Sequence, residues 1–405
     1  DLGRTVALKI MRGELPPSHR ARFLYEARTT AGLDHPGIVA VHEVGLFSDG
    51  RPYYAMREVR GTTLREHIRL LHEQSTPVAY PPPTEELSLR RLVEAFLLVC
   101  EAVGYAHARE IIHRDLKPEN IMLGRFGAVM VVDWGMVRVV SDSSLEMVAD
   151  PMEMLGRAAG SATRQGQVAG TPGYMPPEQA LGELDRLSPA SDVYALGAIL
   201  ACILCGVDPG VDQADPALLG LPRVPPELRE LVLLAMQQEI AARPRDALAL
   251  GEQVRSWLDR SAALAEGEAR QQAVEDAFLG LPLALHERCQ EQILSLVDAD
   301  GAAIARPAEQ LDAEAVEQLV AAGILSRDGG LLRLADPAVE RWPRLRGWLA
   351  ADREGQRLRH ELSVASRGWQ DRLRGTAGLW STDQLARGRA WREVRRPWLA
   401  PIALE

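Results

Sequence analysis

The sequence predicts an α+β chain with a strand-rich beginning, a helix-dominated middle and a mainly helical last third. Three observations carry that prediction. Short β-rich runs, RTVALKI, IVAVHEVGLF and RPYYAMREV, crowd the first 60 residues. From Glu178 onward helical periodicity dominates, and the most apolar stretch, residues 195–207, is far too short to span a bilayer and reads as a buried helix. The 405 residues are 46% hydrophobic and 25% charged, an ordinary balance for a soluble chain with room for two or three cored domains.

Element by element, residues 4–10 alternate and are β-rich, which predicts a strand. Residues 17–33 place Phe23, Leu24, Ala27 and Leu33 at helical spacing, and His35-Pro36-Gly37 ends that helix. Two strands follow around the Ser48-Asp49-Gly50 turn. Gly61 opens a helical stretch interrupted by Tyr80-Pro81-Pro82-Pro83, and a strong amphipathic helix spans about 89–109. Short strands flank a loop over 111–123, and another, 128–132, ends at Asp133. Residues 141–168 are polar and weakly periodic, the pattern of a mobile loop. After Trp257 the Ala/Glu/Gln-rich run 261–275 reads as a helical connector. Beyond it, 282–297, 312–322 and 348–374 are predicted helices, and Asp328-Gly329-Gly330 is a hairpin signal within 324–334.

The formal charge of -10 argues against bulk attraction to nucleic acid or anionic membrane. Four scattered cysteines do not make a disulfide framework, which points to a reducing, cytoplasmic setting. No signal peptide or membrane segment is present, and the chain opens with Asp1 inside what reads as a domain, so we expect a beginning missing from it. Lysine and arginine total 46, yet only Lys9 and Lys117 are lysines. In so arginine-rich a chain, two lysines mark positions where a planar guanidinium does not serve.

Both fall within chemistry-bearing motifs. His113-Arg114-Asp115-Leu116-Lys117-Pro118-Glu119-Asn120 is followed, eighteen residues after Asp115, by Asp133-Trp134-Gly135. Phosphoryl transfer from ATP needs positioning and charge neutralisation more than covalent help. Asp115 stands where a base for the acceptor hydroxyl belongs, and Lys117 two residues on can reach the transferring phosphate. Asn120 and Asp133 are oxygen donors suited to Mg²⁺. Lys9 in Val-Ala-Leu-Lys can reach the α/β-phosphates from a strand, with Glu26 on the next helix as its anchor.

These residues resemble a serine/threonine protein kinase of the eukaryotic-like bacterial type. The resemblance covers residues 4–258 as an ordered series: VALK, FLYEA, HPGIV, HRDLKPEN, DWG, AGTPGYMPPE, SDVYALGAIL and ARP. It implies a bilobal protein-kinase fold with a truncated small β-rich lobe over 1–60 and a large helical lobe over 61–260. It also implies ATP and Mg²⁺ as nucleotide and metal, and proteins bearing Ser or Thr as substrates. By the same resemblance, Lys117 and Thr171 mark Ser/Thr specificity, Glu178 pairs with Arg243, and Asp192 braces the catalytic loop. Residues 56–60 resemble the hinge that binds adenine, giving Met56, Glu58 and Val59 as nucleotide contacts with Met122 beneath the ring. Arg114 is implied to receive a phosphate from the loop over 155–171, with Ser161, Thr163 and Thr171 as candidate acceptors.

Three departures qualify the pattern. Trp134 replaces Phe and Pro176-Pro177-Glu178 replaces Ala-Pro-Glu, both retaining the functional chemistry. No G-x-G-x-x-G precedes Lys9, so the chain as it stands is expected to bind ATP poorly and transfer phosphate slowly. A scaffold that binds partners without turnover is the competing expectation. A small-molecule phosphotransferase is disfavoured by the long segment between Asp133 and Glu178. His113 reads as packing beneath Trp134, and Cys202-x-x-Cys205 as filler of the apolar helix.

Residues 261–280 are a helical connector, and 281–405 a mainly α module whose helix, helix, hairpin and long helix make a winged-helix pattern. On residues 317–325 and 342–349 that module is similar to the winged-helix region of STAND-type signalling ATPases. It has no Walker G-x-x-x-x-G-K-[ST], so it reads as a site for a regulatory protein partner rather than a second enzyme. Residues 341–396 hold 14 Arg against 6 acids, which we read as solvated helix faces rather than a nucleic-acid surface.

Overall fold

The computed structural model describes residues 5–11, 17–84, 87–134, 138–139, 173–210, 219–298, 302–351, 361, 364–365 and 381–395. The chain divides into two units, Asp1–Arg260 and Ser261–Glu405.

The first unit opens with strand β1 (Val6–Ile10), helix α1 (Pro17–Ala31), β2 (Val41–Leu46) and β3 (Pro52–Arg57). The strands form an antiparallel sheet in the order β1-β3-β2. In its register Lys9 lies opposite Tyr54 and Ala7 opposite Met56, so strand alternation puts Ala7, Lys9, Tyr54 and Met56 on one face. Helix α1 buries Glu26, Ala27 and Thr30, two of them polar.

The helix expected to open at Gly61 starts three residues later. Gly61–Thr63 forms strand β4 instead, paired antiparallel with a later strand at Leu123 and Gly124. A Cβ on Gly61 would lie 2.0 Å from the Leu123 carbonyl oxygen, so the close approach selects glycine. Thr63 caps helix α2 (Leu64–Glu73), trading bonds with Glu66 in a capping box. Helix α3 (Leu89–His107) follows, capped by Ser88. Strands β5 (Ile111–Ile112), β6 (Ile121–Gly124), β7 (Val129–Val131) and β8 (Arg138–Val139) come next. They pair as β4-β6-β7 and β5-β8.

A short helix α4 (Pro177–Ala180) precedes α5 (Pro189–Cys205), which is buried at every residue from Ala190 to Cys205. A helix apolar all round belongs in a core, and α5 is the axis of this one. It starts six residues before the apolar stretch visible in the sequence, because Ser191 and Asp192 are buried with hydrogen-bond partners. Phe96 and Val103 of α3, Leu196 and Ile199 of α5, and Leu228 and Val232 of α6 (Pro226–Ala235) share the cluster. Helix α7 (Ala247–Leu279) begins in this unit, and its residues from Ser261 belong to the second.

In the second unit, α8 (His286–Ser295), β9 (Arg306–Pro307) and α9 (Ala313–Ala321) lead to the hairpin β10 (Leu325–Asp328) and β11 (Leu331–Leu334). The sheet order is β10-β11-β9. Gly329 and Gly330 have φ of +55° and +86°, the two left-handed positions a tight hairpin turn needs. Short helices α10 (Pro337–Arg341) and α11 (Pro343–Ala351) follow, then α12 (Thr382–Arg395). Ile293, Val316, Leu319, Leu332 and Trp342 form its core with Phe278. The helix expected over 348–374 appears as α11 up to Ala351 and as helical residues at 361 and 364–365, and 352–360, 362–363 and 366–374 lie outside the described residues. Among the described residues, no helix is long and apolar enough to cross a membrane.

Candidate active site

Lys9 projects from β1 toward α1, where its Nζ donates to Glu26 Oε1 at 2.5 Å and to Asp133 Oδ1 at 2.8 Å. Glu26 is held from a second side: the Tyr54 hydroxyl donates to the same Oε1 at 2.6 Å. Burial works against the Lys9 ammonium, but Glu26 and Asp133 outweigh it and hold its pKa above the ordinary lysine value. Burial likewise works against the Asp133 carboxylate, and the Lys9 bond outweighs it, leaving that pKa below the usual range. Burial and the Glu26 charge push the Tyr54 hydroxyl up, so it remains a donor.

The pairing of β6 with β7 brings the later motifs to the same place. Ile121 lies opposite Val131, and Val132 N donates to Asn120 O at 2.9 Å, so Asp133 emerges beside Asn120. Asn120 sits in the tight turn Pro118–Asn120, where its Nδ2 donates to Asp115 O at 2.8 Å and reaches Asp115 Oδ2 at 3.3 Å. Lys117 Nζ donates to Asp115 Oδ2 at 3.0 Å. Asp115, Lys117 and Asn120 therefore converge within one loop, and a backbone bond joins that loop to the Lys9–Glu26–Asp133 cluster.

Two residues of this region stand at positive φ without being glycine: Arg114 at +70° and Asp133 at +61°. Each costs roughly 1–2 kcal/mol unless its surroundings fix it. Arg114 is pinned from both sides. Its N–H donates to Asp192 Oδ1 at 2.9 Å, and its carbonyl accepts from Gln179 Nε2 at 3.0 Å. Asp192, fully buried on α5, also accepts from His113 N at 2.7 Å and His107 Nε2 at 2.9 Å. Because His107 Nδ1 takes the Ala247 N–H at 3.2 Å, the ring proton sits on Nε2 and points at Asp192. His113 is fully buried 4.6 Å from Trp134, and burial lowers its pKa, so it is a neutral packing group.

Below the loop, Glu178 and Arg243 form a buried two-bond fork at 2.8 and 2.9 Å. Ser191 Oγ adds a third bond to Glu178 at 2.7 Å. Burial opposes the Glu178 charge, but Arg243 outweighs it and keeps the carboxyl ionised below its ordinary value.

A cavity of about 360 Å³ lies against this cluster, with Lys9 and Asp133 in its lining beside Ala7, Val39, Met56, Val59, Met122 and Val132. Met56, Val59 and Met122 are among its lining residues. Glu58 is not: its carboxylate accepts from Arg60 Nε at 3.0 Å. Asp115, Lys117 and Asn120 also lie outside the lining, on the adjoining loop. Ser161, Thr163 and Thr171, and the expected mobile loop 141–168, lie outside the described residues. Tyr54, His107 and Gln179 were not singled out by the sequence. Of these, Tyr54 was legible, because it alternates with Met56 along β3 and so shares the Lys9 face.

The family model described as protein kinase domain matches residues 1–218, and that of Novel STAND NTPase 1 matches residues 262–377. The chain is 37% identical over 207 residues to a serine/threonine-protein kinase PknD of Protochlamydia amoebophila, covering 50% of this chain and 20% of that protein. It is 33% identical over 265 residues to the DNA damage-responsive serine/threonine-protein kinase RqkA of Deinococcus radiodurans, covering 62% and 35%. It is 36% identical over 222 residues to the serine/threonine-protein kinase PknB of Mycolicibacterium smegmatis, covering 54% and 31%. The chain therefore spans between a fifth and about a third of the length of these relatives.

Proposed function

Because the chain belongs to the protein kinase domain family, we propose that it transfers the γ-phosphoryl group of ATP to serine and threonine hydroxyls of protein substrates. One observation carries the reading: Lys117 and Asn120 both lie within 3.3 Å of the Asp115 carboxylate, on a loop bonded to the strand end that presents Asp133 to Lys9.

In this reading Met56, Val59 and Met122 sandwich the adenine, and the hinge segment that includes Glu58 offers it backbone groups. Lys9, fixed by Glu26, meets the α/β-phosphates. The donor set suits Mg²⁺: Asp133 is ionised, and Asn120 spends its amide N–H on Asp115, leaving Oδ1 as a hard oxygen ligand. Bound by those two residues, the ion supplies charge neutralisation at the phosphate oxygens. Asp115 accepts the acceptor hydroxyl's proton as that oxygen bonds to the γ-phosphorus and the bond to the ADP oxygen breaks. Lys117 keeps a positive charge beside the transferring group. Asp192 and Gln179 hold Arg114, and with it the loop, in register.

We assign residues 281–405 to binding a regulatory protein. Helix α9, in the recognition position of a winged helix, exposes Glu314 and Glu317 and has no cation, which is unsuited to phosphate backbones. A cytoplasmic setting suits four cysteines that are all buried thiols.

The test is to incubate the protein with ATP, Mg²⁺ and a mixture of Ser, Thr and Tyr peptides and map the products. Phosphoserine and phosphothreonine formed only with divalent metal are expected. Phosphotyrosine alone, or metal-independent transfer, contradicts the reading.

A further inference from the structure

Between α2 and α3 the chain runs through Pro77-Val78-Ala79-Tyr80-Pro81-Pro82-Pro83, a segment that phosphoryl transfer leaves without a role. Residues 78–83 belong to no helix or strand. Backbone restriction nonetheless fixes their shape. A proline ring holds φ at about −65°, and the residue before a proline is pushed out of the helical region. Tyr80, Pro81 and Pro82 each precede a proline, so residues 80–83 are set in the extended polyproline II conformation.

The fold holds this run at both ends. The Tyr80 hydroxyl donates to Leu204 O at 2.9 Å, near the end of α5. Its ring lies 5.9 Å from the His72 ring and 5.7 Å from the Arg223 guanidinium. At the other end Thr84 N donates to Leu87 O at 3.0 Å, and Leu87 N donates to Thr84 Oγ1 at 2.9 Å. Between these anchors Pro81 is half-buried, whereas Pro82 and Pro83 are exposed. Two apolar rings are thereby held in water at a fixed spacing, about 3.1 Å of rise per residue. A connection between two helices needs only length, which polar residues supply without exposing such rings.

The chemistry of the run limits what can recognise it. Proline has no N–H, so residues 81–83 donate no backbone hydrogen bond and offer ring faces and carbonyl acceptors instead. The complement is a groove of aromatic side chains that also supplies a ring N–H or hydroxyl donor. Because the conformation is set in advance, docking orders little further chain. We propose that residues 80–83 are a docking segment for a partner protein whose surface carries an aromatic-lined groove of this kind. The assignment stands apart from the kinase reading, since none of these residues lines the nucleotide cavity.

The experiment titrates the full chain into two isotope-labelled probes, a WW domain and an SH3 domain, and follows their groove resonances by NMR. Saturable shifts confined to the aromatic groove of at least one probe are expected, with a Kd of about 10–500 µM. Pro82→Ala combined with Pro83→Ala should weaken that binding about 10-fold or more, while Pro77→Ala, outside the run, should leave it within about 2-fold.

Circular dichroism checks that the double variant is folded. If it is not, Pro83→Ala alone should weaken binding about 3-fold. Silence of both probes with the chain at about 1 mM, shifts lying outside the groove, or equal affinity of wild type and the folded proline variant overturns the proposal.

Discussion

The Tyr54 hydroxyl and Lys9 Nζ converge on a single oxygen of Glu26, at 2.6 and 2.5 Å, so the helix carboxylate is clamped between two neighbouring strands. Removing the hydroxyl leaves Glu26 free to swing with Lys9 and loosens the phosphate contact. Tyr54→Phe keeps the ring packed 5.1 Å from Phe23 and deletes only this bond, worth about 1–2 kcal/mol. Initial rates against ATP concentration should show KM raised about 5–10-fold with kcat lowered less than about 3-fold. An unchanged KM removes Tyr54 from the clamp.

Arg243 satisfies Glu178 in a place water does not reach, and it also donates to the carbonyls of Gln237 and Gln238. Arg243→Ala should cost about 3–5 kcal/mol in urea unfolding, because it strands a buried charge. Arg243→Met with Glu178→Leu should recover at least half of that loss. Equal destabilisation by the single and double variants would mean that the packing, not the charge, was lost.

Glu178 and Asp192 are both held below their ordinary values of 4.5 and 3.8. Burial opposes both charges; Arg243 outweighs it at Glu178, and His107 at Asp192. A depressed folded pKa gives stability that is complete above the unfolded value and disappears as pH falls through the folded one. The melting temperature should therefore be flat from about pH 8 to 7, decline below about pH 6.5 because buried His113 resists protonation, and drop steeply below about pH 4. Glu178→Gln should flatten part of that acid limb. A melting temperature that instead falls on going from pH 5 to 8 would contradict the assignment.

Gly61→Ala forces a Cβ to within 2.0 Å of the Leu123 carbonyl oxygen, and backbone cannot rotate away as a side chain can. A loss of about 2 kcal/mol or more is expected, with KM for ATP raised because the hinge runs directly into β4. Wild-type stability in thermal melts would show that β4 tolerates displacement from β6.

Much of this arrangement is written locally. The HRDLKPEN and DWG motifs each hold their chemistry within a few consecutive residues, and a two-residue period sets Lys9 on the same strand face as Ala7. The Asp328-Gly329-Gly330 turn is equally legible, since few sequences satisfy two successive left-handed positions. What the sequence hides depends on distance along the chain. Gly61 reads as a helix opener until Leu123 arrives opposite it. The start of α5 was missed because Asp192 is polar, and only the donors from His107, His113 and Arg114 make its burial tolerable.

Phosphate incorporation from labelled ATP, compared across wild type, Asp115→Asn and Lys9→Met at one Mg²⁺ concentration, is the most direct trial of the convergent site. Wild type should exceed both variants by about 100-fold or more, since each removes a group acting on the transferring phosphate or its acceptor. Equal incorporation by all three proteins would contradict the catalytic assignment and leave the chain a scaffold without turnover.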